Sequence, residues 1–189
     1  QSGGVFILRI EDTDQKRQIE RALEDIVEYL AAFGLDPDEG LAIVDGAIAE
    51  RGAYGPYVQS ERRTIYGAFA KQLAASGWAY PSFQTEEELL ALRRRQELAN
   101  TGTGYYGPWA EDRGLTFAEV QEKLAGGQPF VIRVRAPYPN PEKAVIDDAI
   151  RGRLEIPGNE IDHVLLKSDG LPTYHLAVVA DDVLMGVNR

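Results

Sequence analysis

Residues 5–14 read VFILRIEDTD, an apolar run broken only by Arg9 and followed at once by Glu11, Asp12 and Asp14. So apolar a segment fits a strand buried on both faces, the kind found in parallel sheets. Downstream, Ile19, Leu23, Ile26, Val27, Leu30 and Phe33 recur at helical spacing, with Thr13 or Asp14 placed to cap the helix start and Gly34 to end it. Strand, tight acidic turn and helix make the first half of a βαβ unit. Parallel strands need such crossovers, so this stretch directs the chain toward an α/β fold.

The next segment is less ordered. Residues 34–40 are turn chemistry, and the Gly-punctuated stretch 41–60 reads as a loop with little regular structure. A helix is expected from Ser60, its N-cap, through Ile65, Phe69 and Leu73 to Gly77. Thr85 with Glu88, and Thr116 with Glu119, have the spacing of capping boxes and predict two more helices. PFVIRVRAP at 129–137 alternates apolar and basic, as in a strand with one wet face. Residues 144–157 read as a hairpin turning near Arg151-Gly152, and 162–186 as a strand, a Ser-Asp-Gly turn and a helix from about Thr173. Both ends are α/β and the middle α+β, the pattern of one sheet domain carrying an insertion.

Composition narrows the partners. Thirty Asp and Glu against twenty Lys and Arg leave a net charge of −10. That total counts against a nucleic-acid partner, although binding is decided by local patches. With no cysteine, neither a disulfide nor a thiolate metal site is available. No apolar run nears the roughly 20 residues that cross a bilayer, so no membrane association is expected and a cytoplasmic location is the default. Both ends lie against apolar segments, whereas domain boundaries usually fall in polar linkers, so a fragment of a longer protein is expected.

Two clusters carry candidate chemistry. Glu11 stands at the C-terminal edge of a parallel strand, where open α/β sheets bind ligands. There it either pairs with a ligand ammonium or joins Asp12, Thr13 and Asp14 in starting a helix. No His lies nearby and the spacing is not that of a calcium loop, which disfavours a metal. In SDGLPTYHL, 168–176, Tyr174 and His175 fall in the first turn of a helix. They either reach a ligand there, or Tyr174 packs in the core and His175 is structural. Arg62-Arg63 beside Tyr57 reads as a phosphate contact or, more often for such pairs, a solvated helix face. No Gly-x-Ser-x-Gly motif or phosphate-cradling Gly-rich loop is present.

Taken in order, GGVFILRIEDTDQKR (3–17), GPYVQSER (55–62), GWAYPSF (77–83), IDDAIRG (146–152) and VLLKSDGLPTYHLAVVADDVLMGV (164–187) resemble the catalytic half of bacterial glutamyl-tRNA synthetases. The resemblance spans essentially the whole chain. It implies a partial Rossmann-type class I synthetase domain in 1–77 and 165–189, interrupted by an α+β acceptor-stem-binding insertion in 78–164. It implies an ATP-binding ligase of protein biosynthesis, monomeric at full length, that uses ATP with Mg2+ to turn L-glutamate into glutamyl-adenylate. The glutamyl group then passes to the 3′ end of tRNA(Glu). By the same resemblance Glu11 matches the acid that takes the α-amino group of glutamate, Tyr174 lines the amino-acid pocket together with His175 and Val178, and Arg17 stands near the tRNA.

The sequence also departs from that pattern. The His-x-Gly-His region and the Lys-Met-Ser-Lys-Ser loop, on which ATP grip rests, are not in it, so no catalytic residue is assigned and this piece alone is expected to be inactive. Pro81 and Phe83 stand where zinc-binding relatives carry Cys-x-Cys, so no zinc is expected. Val178 replaces a polar residue of some relatives, and 41–54 is longer than in compact ones. Two other readings stay open: a paralogue that glutamylates the modified base queuosine of tRNA(Asp), and a non-catalytic tRNA-acceptor-binding module. With Val5 to Ile10 as an interior strand lacking a neighbour, the isolated chain is expected to dimerise or aggregate.

Overall fold

Strand β1, Ile7–Leu8, runs parallel to β2, Glu39–Val44, which turns back as the antiparallel β3, Ala47–Arg51. The computed structural model describes residues 3–14, 21–140 and 142–188. The chain divides into two units, Gln1–Phe69 with Asp169–Arg189, and Ala70–Ser168.

In the first unit, Leu8 of β1 sits opposite Gly40 of β2. Gly40 has φ +106°, and a Cβ there would strike the Leu8 backbone, so only glycine permits this approach. The stretch expected as an irregular loop contains the β2–β3 hairpin. Asp45 and Gly46 form its two-residue turn with φ 51° and 80°, the doubly positive geometry that matches strand twist and favours Asp-Gly. The apolar opening run is also less of a strand than its composition suggests. Val5 and Phe6 are exposed, and Phe6 is tied down at its backbone by Asp38 and Glu39. Beyond β1 the chain stays extended to Ile10, which bridges to Val58.

Helix α1 spans Ala22–Ala32, starting after Arg21 in a left-handed conformation without a side-chain cap. The start expected for this helix, capped by Thr13 or Asp14, falls at residues 15–20, outside the described residues. Ile19 lies outside the described residues. Gly34, with φ +69°, ends the helix as expected, its N–H donating to the Ala31 carbonyl. Val27 is buried, but Ile26 and Phe33 face solvent. Asp12 of the acidic turn serves another element. Asp12 Oδ1 accepts the Ser60 N–H at 2.8 Å, capping the helical turn Gln59–Arg62 that leads into α2, Arg63–Ala75. Ser60 thus lies inside a turn capped by Asp12 and is not itself the N-cap.

The second unit holds an antiparallel sheet ordered β4 (Ala79–Ser82), β5 (Val131–Val134), β8 (Val164–Leu166). Pro81 is tolerated because β4 is an edge strand, where a missing N–H breaks no second ladder. Helices α3, Glu86–Leu98, and α4, Phe117–Ala125, both open with the capping boxes read from sequence, each closed in both directions. The exposed hairpin β6 (Lys143–Asp148) and β7 (Gly152–Pro157) also lies as expected. Strand β5 corrects the reading of a wet basic face. Arg133 is buried, its guanidinium 4.4 Å from the Tyr105 ring centre, and it donates to the Asp162 carbonyl. The Tyr105 ring covers this cation, which alternation alone does not reveal. After β8 the chain returns to the first unit and forms α5, Tyr174–Leu184, with Thr173 at its N-cap position as expected. No helix among the described residues is long and apolar enough to cross a membrane.

Candidate functional site

Arg9 and Glu11 are two residues apart on an extended segment, so their side chains leave the same face. Arg9 spreads its guanidinium across three carboxylates. Nη1 donates to Asp182 Oδ1 at 2.8 Å, Nη2 to Glu11 Oε1 at 3.3 Å, and Nε lies 3.7 Å from Asp181 Oδ2. Burial opposes the Arg9 charge, but the bonds to Asp182 and Glu11 and the field of Asp181 and Asp182 outweigh it, so its pKa is raised. Nε is buried and makes no hydrogen bond, an omission that ordinarily costs about 1–3 kcal/mol.

Asp181 is fully buried and anchors this arrangement. Its carboxylate accepts from Arg62 Nε at 2.8 Å, from Gln59 Nε2 at 3.0 Å and from the Tyr66 hydroxyl at 2.7 Å. Burial pushes the Tyr66 hydroxyl well above its usual range, and the bond to Asp181 adds to the shift. Arg62 is buried too and spends Nη1 on the carbonyls of Tyr54 and Pro56. The pair therefore divides: Arg62 is a buried structural strut and not a phosphate contact, whereas Arg63 lies on the exposed face and donates to the Asp169 carbonyl. Among the described residues this cluster sets two cations, Arg9 and Arg62, against three carboxylates, Glu11, Asp181 and Asp182, a balance of 2 − 3 = −1.

A cavity of about 640 Å³ opens beside residues 8–12, closed on another side by Leu23 and Ile26 of α1. The volume is that of a small-molecule site, and Arg9, Glu11, Asp12 and Asp14 supply its charge. The Glu11 side chain is 39% exposed there, open to a ligand.

Tyr174, His175 and Val178 are not among the residues lining that cavity. Tyr174 is exposed, not packed in the core, and its ring meets His175 edge-on with centroids 5.8 Å apart. Val178 is half-buried. Tyr174, Val178 and Asp182 recur every four residues along α5 and so share one stripe of the helix. Glu11 is thus joined to that helix through Arg9 and Asp182. Arg17 lies outside the described residues.

No group of three or more His, Asp or Glu that could hold a metal ion occurs among the described residues. Pro81 and Phe83 carry no donor side chain, and the Phe83 N–H donates to Asp112 at 2.9 Å.

The family model for tRNA synthetases class I (E and Q), catalytic domain, matches residues 1–189. The chain belongs to this synthetase family. It is 53% identical over 190 residues to a glutamate–tRNA ligase of Acetivibrio thermocellus, covering 100% of this chain and 34% of the relative. A glutamate–tRNA ligase of Clostridium perfringens is 48% identical over 186 residues, with 98% and 33% covered. The crystal structure of a glutamate tRNA ligase from Elizabethkingia meningosepticum, in complex with its amino acid, superposes with a TM-score of 0.83 at 38% identity, over 98% of this chain and 36% of that one. The chain spans about a third of the length of these synthetases. Its α/β class, expected from the opening strand and turn, is that of the class I catalytic domain.

Sequence reasoning missed Arg9, Gln59, Asp181 and Asp182. One signal was present: a lone arginine inside an apolar strand needs a carboxylate somewhere, and Asp181-Asp182 is an acidic pair on a helix whose other face is apolar.

Proposed function

We propose that this chain is the amino-acid-recognising and acceptor-binding part of a glutamate–tRNA ligase. The parent enzyme activates L-glutamate with ATP to glutamyl-adenylate, releasing pyrophosphate, and transfers the glutamyl group to the 3′ end of tRNA(Glu). Glu11 takes the α-ammonium of glutamate. Tyr174, His175 and Val178, which lie on α5 outside the cavity beside Glu11, contact the rest of the glutamate, and Arg17 contacts the tRNA. Residues 78–164, nearly the whole of the second unit, act as the acceptor-stem-binding insertion. Mg2+ enters with ATP, no zinc is held, and the full-length enzyme works as a cytoplasmic monomer. No residue of this chain is catalytic in the strict sense.

The observation that carries the reading is the half-exposed Glu11 carboxylate at the mouth of a small-molecule-sized cavity, in a chain whose relatives over its whole length are glutamate–tRNA ligases. A carboxylate–ammonium contact is charge-assisted, and losing one partner of such a pair commonly costs about 2–5 kcal/mol. In the full-length enzyme, Glu11→Gln is expected to raise the KM for glutamate in ATP–pyrophosphate exchange on the order of thirtyfold or more. An unchanged KM overturns the assignment of Glu11. Absence of any glutamate-dependent exchange, with tRNA binding intact, overturns the ligase reading.

A further inference from the structure

We propose that Arg9 is a positioning residue for ammonium recognition: gripped by Asp182 and facing Asp181 on α5, it holds one oxygen of Glu11 and leaves the other for the α-amino group. The inference rests on Glu11 being the ammonium acceptor.

Asp181 does not need Arg9. Arg62, Gln59 and Tyr66 already satisfy its carboxylate. If Arg9 served only as a counter-charge for the buried acid, its Nε would close onto Asp181. Instead that Nε stays 3.7 Å away and unbonded, while the two terminal nitrogens reach outward to Asp182 and Glu11. One arm of the fork reaches Glu11 at the cavity, and the other is held by Asp182, outside its lining. The planar, rigid geometry of the guanidinium lets one cation address two acids at once, which a lysine ammonium on a flexible stem does not reproduce.

The local charge points the same way. Among the described residues, two cations, Arg9 and Arg62, face three carboxylates, Glu11, Asp181 and Asp182. An ammonium at the second oxygen of Glu11 adds a positive charge beside this excess of acid, which a ligand without one does not.

Position on the helix gives the arrangement its use. Asp182 shares a stripe of α5 with Tyr174 and Val178. The helix that carries the proposed contacts to the rest of the glutamate therefore also sets the place of Glu11, through Arg9. Side-chain recognition and ammonium recognition are held in register by one element.

The test uses the full-length ligase with Arg9→Met, Arg9→Lys and Asp182→Asn, and Glu11→Gln as reference. The readouts are the KM values for glutamate and ATP in exchange, the inhibition constant of glutarate, which is glutamate without its amino group, and the melting temperature. Arg9→Met is expected to raise the glutamate KM tenfold or more while the ATP KM and the glutarate constant stay within twofold. Arg9→Lys falls between Met and wild type, and Asp182→Asn, at a partly exposed carboxylate, raises the glutamate KM severalfold without a loss of melting temperature. If Arg9→Met does not fold, these last two variants decide the matter alone. Glutamate, ATP and glutarate constants that all rise together reduce Arg9 to a packing role and overturn the proposal. A glutamate KM raised by Glu11→Gln but untouched by every Arg9 and Asp182 variant also overturns it, leaving the Glu11 reading intact. A glutamate KM unmoved by Glu11→Gln removes that underlying reading itself.

Discussion

Asp181 in the first unit and Asp112 in the second are both withdrawn from water, at 0% and 6% exposure, yet they are compensated differently. Asp181 meets a guanidinium, Arg62, at 2.8 Å. Asp112 is held by neutral donors: the Ser82 hydroxyl and Phe83 N–H, both at 2.9 Å, and the Tyr105 hydroxyl at 3.1 Å. Several good hydrogen bonds suffice to hold a carboxylate in place. Such a knot is closed, pinning the end of β4 to the turn at 111–114 without an ion pair at Asp112 among the described residues. The Asp181 knot is open. A second arginine stands beside it and carries the field to Asp182 and Glu11 at the surface. The closed knot serves stability alone, and the open one also serves the candidate site.

The strongest way to break this comparison is to neutralise both acids. Asp181→Asn strips the buried Arg62 of its counter-charge, a loss expected to cost about 3–5 kcal/mol. Asp112→Asn keeps a carbonyl oxygen for its neutral donors and is expected to cost about 1–3 kcal/mol. Urea midpoints of the two variants check the order, and equal losses erase the distinction. A smaller effect sharpens it. The Tyr80 hydroxyl donates to the buried Asp162 at 2.6 Å, with the nearest guanidinium, Arg113, 3.6 Å away and not hydrogen-bonded to it. Tyr80→Phe should therefore cost more than Tyr66→Phe, whose acid retains Arg62, by on the order of 1 kcal/mol in the same unfolding measurement.

The alkaline limb reads the second unit's tyrosines. Burial pushes the Tyr105 hydroxyl up to about 12 from 10.0, with bonds from the Asp112 N–H and Ser82 opposing it. A folded pKa above the unfolded one means the contribution is complete below pH 10.0 and is lost as pH rises toward about 12. Tyr105→Phe should flatten the fall of the urea midpoint across that window. The smallest effect lies at the exposed cap of α4. Bonds from the Thr116 side chain and then its backbone hold the Glu119 pKa below 4.5. A depressed acid contributes above its unfolded value and loses that contribution as pH falls through the folded one. Glu119→Gln should leave neutral stability nearly unchanged and slightly flatten the acid limb, measured as midpoint against pH.

What could be read along the chain followed the range of the interactions. The Thr85–Glu88 and Thr116–Glu119 boxes close over three residues, so their letters carry the whole arrangement. The β2–β3 hairpin was just as local, and Asp45-Gly46 announced it, but the surrounding glycines masked a strand pattern. Glu11 was legible as a candidate because a carboxylate at a strand end is chemically conspicuous. Arg9 was not, since its partner Asp182 lies 173 positions away.

By itself, then, the sequence determined the α/β class, the two capped helices, the hairpin at 143–157, the start of α5 and the acid placed at the end of β1. Each depends on periodicity or on bonds between near neighbours. Tertiary structure alone decided that Asp12 caps the turn before α2, that Arg62 and Arg133 are buried, and that Arg9 links Glu11 to α5. Those outcomes depend on which distant groups meet out of water, where an unpaired charge is too costly to leave and its partner is chosen by packing.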